Sequence, residues 1–374
     1  MGHKKFLDLV STAPAWRVRG AIRRGADVHA RDEQDLTALM LAAQTNHHPG
    51  TIKALLAAGL DVNTRHTYGW TPLLLASVYE NTPAVVAALI EAGAHVRDTN
   101  DEGVTPLMLA ATNAKPQVVE LLLNAGADIN ARDKEGKTAL MHAVSDPEGS
   151  AMLALLLKAG ADISARDNAG MTPLLHAVKG SRVRVDAIWM LGDPRVSEAM
   201  SEEDRRMTAE GTLKYGLENT GRADQIERLL ESGADVNAAN TEGETALLLA
   251  LPGDERAKYL DALKRMGFDL ETVPGEDGRS YREIVARAAD NLEVVTTLLR
   301  GGADPNARNR AGLTPLMRAA RGAWSSELIE RLIEFGADPG LKDPEGKTAL
   351  EHAVAPEVQI ALQVHAGTRP PGMK

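Results

Sequence analysis

Histidine and aspartate are the residue types of this 374-residue chain whose spacing could support chemistry. His142, His176 and His352 follow Leu-Met, Leu-Leu and Leu-Glu, and each precedes an alanine. A histidine recurring at one register could build a ladder of metal or proton sites. His142 and His176 are 34 residues apart, but His352 lies far along the chain. A register histidine that bonds a neighbouring backbone group satisfies the same pattern and is the preferred reading. His47 and His48 are adjacent, so their side chains diverge. Asp27, Asp61, Asp128, Asp162, Asp235, Asp269, Asp304 and Asp338 form a second series. A calcium loop needs several oxygen ligands within about a dozen residues; these carboxylates come one at a time, so turn capping explains them better. With no cysteine, disulfides, thiol catalysis and cysteine-ligated zinc or iron–sulfur sites are excluded. No glycine-rich phosphate loop, nucleophile elbow or acid–base pair stands out. The chain is expected to be no enzyme, with no metal and no cofactor.

Composition narrows the partners. Charged residues are 25% of the chain and hydrophobic ones 44%, the balance of a folded protein. The net charge of −10 argues against a general nucleic-acid or anionic-membrane binder. No apolar run approaches 18 residues, so no membrane span is expected. Asp8 interrupts the short apolar run after Lys4 and Lys5, which is not the pattern of a signal peptide. The expected location is cytoplasmic, with a removed signal or export as a secreted effector left open. Aromatics are only 3%, thin for a sheet core, while Ala, Leu and Gly favour close-packed helices.

The elements follow from a repeat. Gly-x-Asp or a near variant begins at Gly25, Gly59, Gly93, Gly126, Gly160, Gly233, Gly267, Gly302 and Gly336. The steps are 34, 34, 33, 34, 73, 34, 35 and 34 residues, the long one fitting two units and five extra residues. In phase run GWTPLLLA from Gly69, GVTPLMLA from Gly103, GKTALMHA from Gly136 and GMTPLLHA from Gly170. GETALLLA from Gly243, GLTPLMRA from Gly312 and GKTALEHA from Gly346 continue the series. Thr71 or Thr105 can cap a helix, and Pro72 or Pro106 suits its first turn. Paired alanines such as Ala110 and Ala111 keep that helix thin. Val118, Val119, Leu121 and Leu122 then give a second helix its apolar stripe, and Gly126 ends it as a left-handed cap.

A period near 33 with T-P-L-H-x-A resembles the ankyrin repeat, and the resemblance covers nearly the whole chain. It implies an all-α solenoid of about eleven stacked helix pairs with β-hairpin or loop fingers. The expected layout is a capping pair at 1–31, regular repeats at 32–192, an irregular insertion replacing a finger at 193–206, degenerate repeats at 207–342, a capping repeat at 343–367 and a frayed tail at 368–374. Gly278 to Ala286, GRSYREIVA, is a second departure, with Arg282 and Glu283 near the usual Leu and Met places. Arg17, Arg19, Arg23 and Arg24 could form an anion patch, but a solvated cap face is the simpler reading. Trp16, Trp189 and Phe335 are expected to pack in the core or caps.

The family's usual task is binding another protein through finger tips and the exposed side of the first helices. Its variable positions flank the finger glycine and follow the alanine pair. Carried onto this chain they are Glu33, Gln34, Leu36, Gln44 and Thr45, with Asp35 in the glycine's place; then Thr67, Tyr68, Trp70, Val78 and Tyr79. The next unit offers Asp101, Glu102, Val104, Thr112 and Asn113. After it come Lys134, Glu135, Lys137, Ser145 and Asp146, then Asn168, Ala169, Met171 and Lys179. Arg321 and Trp324 form a later candidate pair. Tyr and Trp are enriched among interface hot spots, so Tyr68, Trp70 and Tyr79 are the expected anchors. The resemblance thus implies a monomeric scaffold for an unknown protein, with no nucleic acid and no membrane as partner. Self-association through the aromatic patch, or inhibition of an enzyme by occlusion, are its rivals.

Overall fold

The computed structural model describes residues 2–79, 83–144, 149–181, 222–252, 291–323 and 325–365. The chain divides into two units, Met1–Asn168 and Ala169–Lys374. The first holds α1 (His3–Thr12), α2 (Ala15–Arg23), α3 (Ala38–Thr45), α4 (Pro49–Leu56), α5 (Pro72–Val78), α6 (Pro83–Glu91), α7 (Pro106–Thr112), α8 (Pro116–Asn124), α9 (Ala139–Ala143) and α10 (Ser150–Lys158). The second holds α11 (Pro173–Ser181), α12 (Arg222–Glu231), α13 (Ala246–Ala250), α14 (Leu292–Arg300), α15 (Pro315–Gly322), α16 (Ser326–Glu334), α17 (Ala349–His352) and α18 (Pro356–His365). No strand occurs among the described residues. Single bridges at Arg31 with Thr37 and Ala239 with Thr245 are all the β structure there, so the fingers are loops built from turns.

Helices begin where the sequence places caps. The Thr71 hydroxyl accepts from Leu74 N–H at 3.3 Å, Thr105 from Met108 at 3.2 Å and Thr314 from Met317 at 3.3 Å. Each satisfies a donor left open in the first turn, an effect of about 1 kcal/mol. In the first unit the inner helices α1, α3, α5, α7 and α9 pack in succession, with α2, α4, α6 and α8 stacked behind them. Leu39, Leu74, Leu107 and Leu140 are fully buried between inner helices, and Ile52, Val85, Val119 and Leu153 behind them. Each such side chain stabilises the stack by roughly 1.5–3 kcal/mol. Ala42, Ala110 and Ala111 are equally buried, which lets adjacent repeats approach.

In the second unit, α11 packs on α12, α13 on α14, α15 on α16 and α17 on α18. The inner helices α11, α13, α15 and α17 again pack in order, as do α12 and α14. The described residues form nine helix pairs. Residues 182–221 intervene between the two helices of one pair, and 253–290 between the two helices of the next. The finger before α11 bonds directly to the one before α13, Thr241 N–H donating to Ala169 O at 3.0 Å. The finger before α13 bonds to the one before α15 in the same way, Arg310 N–H to Glu242 O at 3.0 Å. The finger row has no gap at either place. The expected insertion at 193–206, the GRSYREIVA segment, Asp269, Trp189 and the tail at 368–374 lie outside the described residues.

Candidate protein-docking site

The first residue of each finger organises its loop. Asp32 Oδ1 accepts from Gln34 and Leu36 N–H at 3.0 and 2.8 Å, and Asn100 Oδ1 from Glu102 and Val104 at 3.0 and 2.9 Å. Asp133, Asn240 and Asp343 repeat the pattern. At the second finger a histidine takes this place. His66 Nδ1 accepts from Tyr68 N–H at 3.3 Å while Nε2 faces Gln34 O at 2.8 Å. A carbonyl only accepts, so Nε2 donates to it while Nδ1 faces the Tyr68 N–H. Gly69 completes this turn at φ +75°, and a Cβ there would stand 2.7 Å from Asp101 Oδ1 and 2.9 Å from Asp101 N. Asp35 holds the equivalent left-handed place in the first finger at φ 65°.

Main-chain bonds tie the finger tips into a row: Asp101 N–H to Tyr68 O at 3.2 Å, Lys134 to Glu102 O at 3.0 Å, Asn168 to Glu135 O at 2.9 Å. Tyr68 is 66% exposed, and its ring lies against His66 at a centroid distance of 5.5 Å. Trp70 is half-buried, its carbonyl closing the finger by accepting from His66 N–H at 2.8 Å. Val78 is half-buried and Tyr79 exposed at the far end of α5, with Tyr79 O accepting from the Lys115 ammonium. The seven residues of α5 are about 10 Å long, with Tyr68 in the finger before that helix and Tyr79 at its far end. Asp101, Glu102, Thr112, Asn113, Lys134 and Glu135 are exposed, and Val104 and Lys137 are half-buried. Thr112 and Asn113 turn back onto their own helix, bonding Met108 O at 2.9 Å and Leu109 O at 2.7 Å. Lys137 pairs with Glu135.

Some residues sit elsewhere than the sequence suggests. Met171 is buried, because the next finger crosses it and Asn240 Nδ2 meets its sulfur at 3.6 Å. Arg321 is half-buried on α15; Asp146 and Trp324 lie outside the described residues. Trp16, expected to pack, is 70% exposed: α2 buries Val18 and Ala21, and a residue two before Val18 points away from that face. Phe335 is exposed at the cap of α16. The cap arginines 17, 19, 23 and 24 are all exposed.

The titratable series are structural where they are described. Asp61 accepts from Asn63 N–H at 2.9 Å and Asp128 from Asn130 at 3.0 Å, as the turn-capping reading expects. The Ser164 hydroxyl and N–H, bonded to Asp162, hold that carboxyl below its ordinary value against a smaller opposing effect of burial. His142 and His352 bond a carboxylate rather than backbone. His142 Nε2 meets Asp133 Oδ2 at 2.8 Å, and His352 meets Asp343 Oδ2 at 2.8 Å. Each aspartate thereby uses one oxygen for its finger and the other for the histidine nine residues on. Burial pushes Asp343 upward, but the Lys347 N–H, the His352 ring and the Glu345 N–H outweigh it and hold the carboxyl low. Among the described residues no group of three or more His, Cys, Asp or Glu could hold a metal ion. No helix there is long and apolar enough to cross a membrane.

Sequence reasoning missed a second row of bonds at the outer turns. Asn63 donates to Gly93 O and accepts from His95 N–H at 3.2 and 3.0 Å. Asn237 does the same to Gly302 and Asp304, and Asn306 to Gly336 and Asp338. The signal was present as an asparagine four residues after Gly59, Gly126, Gly233 and Gly302.

Models of ankyrin repeats match this chain in overlapping sets of three copies from residue 17 to 197, as many copies at 298–353 and as a single repeat at 284–310. The chain belongs to the ankyrin-repeat family. It is similar to human SH3 and multiple ankyrin repeat domains protein 2, 36% identical over 98 residues, covering 26% of this chain and 5% of that protein. It is also similar to human and mouse SH3 and multiple ankyrin repeat domains protein 1, each 32% identical over 124 residues, 31% of this chain and 6% of those proteins. The match thus spans about a twentieth of these relatives. As an ankyrin-repeat chain it is an all-α protein-interaction module.

Proposed function

We propose that the finger row and inner-helix ends of the first unit dock a partner protein, with Tyr68, Trp70 and Tyr79 as anchors and Asp101, Glu102, Thr112, Asn113, Lys134 and Glu135 as the rim. The observation that carries this reading is the exposure of Tyr68 on a finger fixed by bonds to both neighbours. An ordered aromatic loses little entropy on binding and removes much apolar area from water. The role is non-enzymatic: a preformed surface whose specificity lies in the side chains the repeats leave variable. Capture from lysate by the wild-type chain and by Tyr68→Ala/Trp70→Ala/Tyr79→Ala, matched in helical signal and melting temperature, tests it. A partner held by the wild type and lost by the variant supports this site; an equally retained partner removes it.

Self-association is the second reading. It is favoured by Val354, Ile360 and Val364, exposed at 68%, 46% and 60% on or beside α17 and α18. A mass by light scattering that stays at one chain across a hundredfold range of concentration excludes it.

A further inference from the structure

The partner's chemistry can be taken further from the charge around Tyr68, on the docking reading above. The fingers on either side are acidic. Across residues 31–36, 65–70 and 97–104 stand six carboxylates, Asp32, Glu33, Asp35, Asp98, Asp101 and Glu102, against three guanidiniums. All three are engaged: Arg31 with Asp35 at 3.0 Å, Arg65 with Asp98 at 3.3 Å, and Arg97, whose Nε–H donates to Gly126 O at 2.9 Å. Glu33, Asp101 and Glu102 are exposed. The neighbours are close in space, because Thr67 Oγ1 reaches Asp35 Oδ2 at 3.5 Å and Asp101 N–H bonds Tyr68 O. Between them stands the Tyr68 ring, propped by His66 and two-thirds exposed. Arg132 and Lys134, one finger further, are the next cations in the row.

We infer that the segment docking on this finger is a cationic stretch of a protein, with an arginine laid over the Tyr68 ring between the Asp35 and Asp101 fingers. A guanidinium gains from the face of an aromatic ring and from carboxylates at its edge at once, and its planar fork suits both. A purely apolar segment would strip water from Asp101 and Glu102 without replacing it. An acidic segment would meet like charge. The carboxylates also steer a cationic partner to the site, an attraction that weakens with salt.

A random peptide library displayed on phage and selected on the full chain tests this, with Tyr68→Ala used to find the peptides that need the ring. The Tyr68-dependent peptides are expected to carry arginine. Their affinity should fall about tenfold with Asp101→Asn/Glu102→Gln, little with Glu120→Gln/Glu227→Gln of the same charge change, and steeply with added salt. Tyr68-dependent peptides that are acidic or uncharged overturn the cationic inference and leave the docking site standing. Basic peptides indifferent to both Tyr68 and the Asp101/Glu102 pair overturn it as well, since attraction to an acidic chain then explains them. A selection with no Tyr68-dependent peptide removes the docking reading and this inference together.

Discussion

Replacing Gly69 by alanine separates two costs that the structure places on one residue. Gly69 has φ +75°, and a left-handed conformation costs an L-residue about 1–2 kcal/mol. Its Cβ would also press on the next finger, 2.9 Å from Asp101 N and 3.1 Å from Asn100 C. Those are backbone atoms and cannot swing aside, so the Asp101 N–H bond to Tyr68 O must lengthen or break, about 1 kcal/mol more. Gly59 is the control: its φ is +93° and nothing lies within 4 Å of its Cβ position, so only the strain applies. The expected losses are about 2–3 kcal/mol for Gly69→Ala and about 1–2 for Gly59→Ala. Urea titrations of both variants, followed by circular dichroism, give the difference. A unit of this size should melt roughly 5–10 °C lower for Gly69→Ala. Equal losses at the two sites would refute the reasoning, because the finger-to-finger contact would then carry no energy.

Three further outcomes follow from named contacts. His66→Asn, which installs the group used at Asn100, should keep the second finger ordered, whereas His66→Ala, which leaves the Tyr68 N–H without its acceptor, should loosen it, a difference readable from the exchange rate of the Tyr68 amide. Asp343 has its folded value below its unfolded one, so its stabilising effect is complete above about pH 4 and is lost as pH falls through the folded value. Asp343→Asn should flatten the stability curve below pH 5, and an unchanged curve would contradict the direction of that shift. Replacing residues 182–221 by a loop of two to four residues, like those joining the helices within the first four pairs, should leave the Thr241 amide protected from exchange. Loss of that protection would mean the finger bond to Ala169 depends on the removed chain.

The sequence and the structure agree where one repeat explains itself. Thr71, Pro72 and Gly126 announce helix ends through caps and a left-handed φ of 88°, and those signals need only local chain. Contacts between repeats were less legible. From Gly233 to Gly302 is 69 residues, which two ordinary repeats would also span, so spacing cannot separate an added repeat from chain inserted within one. The Arg310 bond to Glu242 and the Asn237 bonds to Gly302 and Asp304 join described residues on either side of that stretch, which spacing does not reveal. The face of Trp16 was hidden for a similar reason: hydrophobicity marks a side chain as apolar, while its angle from Val18 and Ala21 decides whether it is covered. The exposure of Tyr68 and Tyr79 was legible because their places within one repeat fix it, whereas the burial of Met171 depends on a finger 69 residues away.

The most direct measurement places a photo-crosslinking amino acid at Tyr68 and, in a separate chain, at the exposed Gln117 on the outer helix α8. Crosslinking in lysate should give a discrete adduct from position 68, competed by unlabelled wild type and spared by the Tyr68→Ala/Trp70→Ala/Tyr79→Ala chain as competitor. Adducts from position 117 with none from 68 would put the partner on the opposite face and contradict docking on the finger row.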